Sequence, residues 1–336
     1  MKKILVILAL AAASGVVIAA LAFNALTGPY DKGSKEYEIV DIPQGAYIGK
    51  AAGILHENKL IRSELLFRVV AKLEGDPGIK AGRYKIFRSY SNSEILSMLE
   101  EGKVYNDNIA VTIPEGFESY KIAERLEKLG LANEARFMEL VGKPEAFESK
   151  VDFIKREGLS SLEGYLFPDT YFFKKGTSEE EIIETMLKRF EQVYGQSYQK
   201  RQLELGKSLN EVISMASIVE REAKMDSERD MVSAVFYNRL KIGQRLQSCA
   251  TVQYILKERK QKLSDADLLI ESPYNTYKYA GLPPGPIASP GKKSIEAALY
   301  PANVDYLYFV AKKDGSHTFS RTYDEHLKAK AKNFAE

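Results

Sequence analysis

A single cysteine, Cys249, stands among the 336 residues, which excludes an intrachain disulfide framework. Histidine is almost as scarce, and the spacings of His56, His317 and His326 form no metal-ligand cluster. No metal or other cofactor is implied. Tryptophan is absent, so a platform for stacking sugar rings has to use some of the 20 tyrosines or 15 phenylalanines. There is no excess of charge of one sign either. The 48 Lys and Arg against 46 Asp and Glu leave +2, which argues against a broad basic field for nucleic acid and is compatible with a neutral, glycan-like substrate.

What is present begins with an uncharged run from Ile4 to Leu26, long enough to span a bilayer. Lys2 and Lys3 precede it and favour a cytoplasmic N-terminus, with the remainder on the outer or periplasmic side of a bacterial inner membrane. A cleaved signal peptide is the rival, because Ala20-Leu21-Ala22 fits a cleavage site, although the run exceeds a usual signal-peptide core. Residues 27–36, with Gly28, Pro29 and Gly33, read as a linker.

An internal duplication follows. Val40-Asp41-Ile42-Pro43-Gln44-Gly45 returns 71 residues later as Val111-Thr112-Ile113-Pro114-Glu115-Gly116, and the apolar residues behind each copy keep the same spacing. Each copy reads as an alternating strand, a Pro-x-Gly turn and an amphipathic helix. In the first, Ser63 caps a second helix, a return strand lies near Gly82 to Phe87, and Ser91 with Glu94 opens a closing helix that stops at Gly102. The expected fold class is α+β: a transmembrane helix at 1–26, a βααβ module at 37–107, then an α+β catalytic region at 108–330. Within that region 108–191 is a second, elaborated copy and 209–330 is the core.

The core opens with LNEVISMASIVERE from Leu209. At 3.6 residues per turn, Ile213, Ala216, Ser217, Glu220 and Ala223 share one face of a helix beginning near Ser208. Small neighbours leave room above the Glu220 carboxylate, and partial burial is how a glutamate becomes a general acid. Spacing alone is also compatible with an exposed Glu220–Lys224 pair. Glu222 lies about 200° around the helix, so only one of the two can face a cleft.

The run ASIVERE, then SERDMVSAVFYNRLKIGQRLQS, YNTYKYAGLPPGPIASPG and LYFVAKKDGSHTFS, resembles the YceG-like (MltG-type) endolytic murein transglycosylases. The resemblance implies that Glu220 is the catalytic acid and base, that the first module is LysM-like, and that peptidoglycan strands are the substrate. It implies cleavage of MurNAc–GlcNAc bonds inside nascent strands, leaving 1,6-anhydro ends and terminating elongation, with peptidoglycan synthases as possible partners and no nucleic acid. The EGYLFPDTY segment is a family motif, so Glu163, Tyr165 and Asp169 are expected at the surface of the groove. In FYNRL, Asn238 and Arg239 are expected to brace the site. Cys249 and Ala250 stand where the family commonly has Asp-Pro, leaving Gln247 and Thr251 as the polar candidates there. Asn275 and Tyr277, beside a rigid Pro/Gly-rich loop, are expected to touch sugar. His317 and Cys249 are assigned no chemistry. Two alternatives stay open: a muramidase using Glu163 or Asp169 as second acid, and a non-catalytic peptidoglycan-binding scaffold for synthases.

Overall fold

The computed structural model describes residues 2–335, leaving aside the side chains of 2–9, 11, 12, 156, 334 and 335. It divides into two compact units, 1–107 and 108–336.

In the first unit, helix α1 (Lys2–Thr27) precedes β1 (Tyr37–Ile42), α2 (Ile48–Glu57), α3 (Glu64–Leu73), β2 (Gly82–Phe87) and α4 (Asn92–Glu101). Strands β1 and β2 pair antiparallel, Val40 opposite Tyr84, and the alternation of Val40 and Ile42 with polar neighbours turns one strand face onto α2, α3 and α4. Ser63 caps α3, and Ser91 and Glu94 form a reciprocal capping box on α4, which ends at the left-handed Gly102. Residues 27–36 are pinned to this unit. Arg62 donates to the carbonyls of Ala25, Gly28 and Tyr30, and Asp31 N–H donates to Arg88 O.

The expected inner-membrane, single-pass location requires correction. Among the described residues no helix is long and apolar enough to cross a membrane. Much of the first half of the 4–26 run lies outside the described side chains.

The second unit repeats the scheme with insertions. Strand β3 (Asn108–Thr112) is followed by α5 (Ser119–Lys128), α6 (Glu134–Val141), a 3-10 turn, α7 (Asp152–Glu157) and β4 (Thr170–Lys174), which pairs antiparallel with β3. Helices α8 (Glu179–Val193) and α9 (Gln196–Glu204) lead to α10 (Leu209–Glu222). Then come α11 (Arg229–Lys241), α12 (Cys249–Leu256), α13 (Asp265–Leu268), α14 (Lys292–Leu299), the hairpin β5 (Tyr308–Ala311) and β6 (His317–Ser320), and α15 (Tyr323–Ala335).

Helix α10 is the central rod of this unit. Leu209, Val212, Ile213, Met215, Ala216, Ile218 and Val219 are all buried, so apolar contact surrounds it instead of forming one stripe. Each large apolar side chain removed from water there contributes about 1.5–3 kcal/mol. The helix packs on α14, α11 and α12, while small residues at 216 and 217 let chain approach closely.

Candidate active site

A capping box formed by Ser208 and Glu211 starts α10, and the chain leaves helical geometry at Ala223, which puts Glu220 in the last turn. The proline-rich loop runs alongside. Asn210 Nδ2 donates to Pro284 O at 2.8 Å, Ile287 N–H donates to Ser217 Oγ at 3.0 Å, and Gly291 N–H donates to Glu220 Oε2 at 3.0 Å. The loop is thus fastened to the start, middle and end of one helix, and Ser217 is fully buried because it serves as the middle fastening.

The Glu220 side chain is 7% exposed and faces three donors. Besides Gly291, Ser294 Oγ donates to Oε2 at 2.8 Å, and Arg229 Nη1 lies 3.2 Å from Oε1. Its ion-pair partner is therefore Arg229, at the start of α11, instead of Lys224. Arg229 is oriented in turn by Asp226, its Nε donating to Oδ1 at 3.0 Å, and its Nη1 also donates to Ser294 Oγ at 2.5 Å. Burial works against the Arg229 charge, yet Glu220 and Asp226 outweigh it and raise its pKa. An open depression of about 450 Å³, lined by Asp226, Arg229, Lys293 and Tyr300 among others, adjoins this cluster.

Glu115 reaches the same place from the Pro-Glu-Gly turn of the second repeat. Gly116 N–H donates to Ser289 O and Ser289 N–H donates to Phe117 O, each at 2.8 Å, which bolts the turn to the loop leading to Gly291. A β-carbon on Gly291 would lie 1.9 Å from Glu115 Oε1, and one on Gly116 would lie 3.5 Å from Glu220 Cγ. Both glycines therefore mark close approaches. Burial first, and then the Glu220 charge, push the Glu115 carboxyl above the ordinary glutamate range.

Behind this lies a second charged knot. Arg221 pairs with Glu118, which Lys121 also contacts at 2.9 Å. Burial opposes the Glu118 charge, but Lys121 and Arg221 more than offset it and lower its pKa. Glu163 accepts Ser119 N–H at 3.1 and 3.2 Å and is buried, so desolvation drives its carboxyl up to about 7.

Several residues expected at a groove turn inward instead. Tyr165 is fully buried among Phe153 and Phe190, its hydroxyl donating to Asn210 Oδ1 at 3.2 Å. Asp169 pairs with Arg189 at 2.7 Å. Asn275 has no exposed surface; Nδ2 donates to Leu268 O and Ile270 O, and Oδ1 accepts Tyr277 N–H. Thr251 Oγ1 donates to Ser248 O and meets Thr276 Oγ1. Asn238 ties down Val304 O and Tyr306 O, and Arg239 holds Leu307 O and Leu246 O. Gln247 is exposed with a positive φ of 48°, and the Tyr277 hydroxyl meets Cys249 Sγ at 3.0 Å. Glu222 points to the start of α12, where it accepts Ser248 Oγ–H and Ala250 N–H. For Asn275, Thr251 and Glu163 the physical reason is shared, because a buried polar side chain satisfies neighbouring backbone before any ligand, whereas Asp169 and Gln247 stay at the surface.

Sequence reasoning named Glu220 but passed over Glu115, Ser294, Gly291 and Arg229. One signal was available: Glu115 replaces Gln44 of the first repeat. Among the described residues no group of three or more His, Cys, Asp or Glu could hold a metal.

A sequence profile of the YceG-like family matches residues 40–332. A Bacillus subtilis (strain 168) protein named endolytic murein transglycosylase is 35% identical over 319 residues, covering 92% of this chain and 88% of its own length. One of the same name from Streptococcus pneumoniae (strain ATCC BAA-255 / R6) is 32% identical over 355 residues; 96% of this chain is covered, but only 63% of that longer relative. The crystal structure of a YceG-like protein from Listeria monocytogenes matches with a TM-score of 0.60 at 38% identity, covering 88% of this chain and 99% of that one. With similarity across nearly its whole length, this chain belongs to the YceG-like family.

Proposed function

We propose that this protein is a lytic transglycosylase that cleaves MurNAc–GlcNAc bonds of peptidoglycan, with Glu220 as acid and then base. The proton of Glu220 passes to the glycosidic oxygen leaving MurNAc C1. The resulting carboxylate takes the proton of the MurNAc 6-hydroxyl, whose oxygen closes on C1 to give a 1,6-anhydro end. No water is consumed, and Glu220 regains its proton.

The observation carrying this reading is the Glu220 carboxylate itself: nearly buried, at the end of a rigid helix, and oriented by Gly291, Ser294 and Arg229. A preorganised carboxylate of that kind suits proton transfer in both directions. The names of the relatives, endolytic murein transglycosylases, support peptidoglycan as substrate and cleavage within strands, which would end the growth of a nascent glycan. The β–α–α–β unit at 37–107 reads as a LysM-like glycan-binding module. A depression of about 650 Å³ beside the exposed Tyr47, Leu65 and Arg68 supports that reading.

Hydrolysis would need a second carboxylate to activate water. Glu163 and Asp169 are committed to Ser119 and Arg189, so Glu115 is the acid that keeps this outcome open. The test is digestion of purified sacculi with mass analysis of the products. Anhydro ends, lighter by one water than hydrolysed ends, are expected from the wild type, with none from Glu220→Gln of unchanged circular dichroism. Hydrolysed ends, or equal activity in the variant, would falsify the reading.

A further inference from the structure

The acid step creates an electrostatic difficulty. Arg229 and two hydrogen-bond donors all face the Glu220 carboxylate, and each interacts best with its charged form. Something must counter them for Glu220 to hold a proton until a sugar oxygen arrives.

The Glu115 turn is built to supply that counterweight. Its carboxylate fills the space left by the missing Gly291 side chain, and the same Gly291 donates its N–H to Glu220. The charged groups facing Glu115 are Glu220 from α10, Arg229 from α11, Asp226 from the turn before α11, and Lys293 from α14. The internal duplication supplies a control. The first repeat carries Gln44 at this position, and the glycines that follow, Gly45 and Gly116, share a φ of 73°. The turn is thus compatible with glutamine, and the acid appears only in the copy that meets Glu220.

We propose that Glu115 is a positioning residue for Glu220: its negative charge, seated beside Gly291, offsets Arg229 and lets Glu220 carry the proton it delivers to the glycosidic oxygen. This rests on the reading of Glu220 as the acid. Burial raises the Glu115 carboxyl as well; repulsion between two carboxylates is mutual, so the pair resists carrying two negative charges, and whenever Glu115 is charged a proton on Glu220 is favoured. Over one turnover Glu115 neither gains nor loses a proton.

The experiment follows anhydro-end release by the full chain against pH for wild type, Glu115→Gln and Glu115→Asp, alongside a titration of ¹³C-labelled glutamate side chains by NMR. In Glu115→Gln the alkaline fall-off of kcat is expected to move down by about one pH unit, a roughly tenfold loss on that limb. The rate should recover in acid with KM unchanged. Glu115→Asp, which keeps the charge, is expected to hold the fall-off near the wild-type position. In the NMR titration, Glu220 should lose its proton at lower pH in Glu115→Gln than in wild type. A fall-off that stays in place, or a loss equal at every pH, overturns the proposal. If wild type releases no anhydro ends, the reading of Glu220 as a transglycosylase acid fails separately, and the NMR comparison alone decides whether Glu115 acts on Glu220.

Discussion

Gly291 donates its N–H to Glu220 Oε2 at 3.0 Å, and the side chain it lacks leaves the room that Glu115 occupies. One residue therefore fixes the orientation of one carboxylate and the approach of another. That relationship joins α10, the proline-rich loop and the second repeat into a single site, and the consequences below depend on it.

Removing Arg229 should damage the site more than removing any surface charge. Arg229→Gln leaves Glu220 nearly buried without its cation, a change that costs on the order of 3 kcal/mol at neutral pH. The loss should shrink in acid, where a lone buried carboxylate takes up a proton. Urea unfolding at pH 5 and pH 7.5 measures both; a pH-independent loss below 1 kcal/mol, on the scale of an exposed pair, counts against the arrangement.

Glu163 makes stability depend on pH. Its carboxyl stands at about 7 in the folded chain against 4.5 as the ordinary value. A raised carboxyl contributes stability that is complete below the unfolded value and is lost as pH climbs through the folded one. Wild type should therefore lose on the order of 3 kcal/mol relative to Glu163→Gln between about pH 4.5 and pH 7. Thermal melts of both proteins across that window give the difference, and parallel curves would remove Glu163 as the cause.

Asn275 is expected to act on folding and not on sugar. Its side chain has no exposed surface and makes three hydrogen bonds to Leu268, Ile270 and Tyr277, so Asn275→Ala should cost about 2–4 kcal/mol by stranding those backbone groups. KM for glycan strands in the folded fraction should match wild type. A raised KM with unaltered stability would return Asn275 to the binding surface.

The cap of α10 offers a milder perturbation. Ser208→Ala removes one half of its capping box and should cost about 0.5–2 kcal/mol in denaturant titrations. Activity per folded molecule is expected to stay the same, because Glu220 lies at the opposite end of the helix. A drop in kcat without loss of stability would show that the start of α10 tunes the site.

Local signals were legible where local forces decide. The reciprocal cap at Ser91, the start of α10 near Ser208, the left-handed Gly102 and the paired β1–β2 and β3–β4 units all follow from short-range geometry and apolar spacing. The face of α10 bearing Ser217 and Glu220 was readable for the same reason. Tyr165 and Asn275, expected at a groove surface, are buried. A Tyr or Asn beside glycine and proline has the same composition whether its polar atom meets a ligand or a carbonyl of its own loop.

The order of residues by itself determined that two similar strand–turn–helix units exist, where α10 begins and which of its faces carries Glu220, because these depend on contacts within a few residues. Only the folded chain decided what surrounds that carboxylate. Arg229, Gly291 and Glu115 stand 9, 71 and 105 residues from it in sequence, and buried charge is governed by distance in space, to which separation along the chain is no guide.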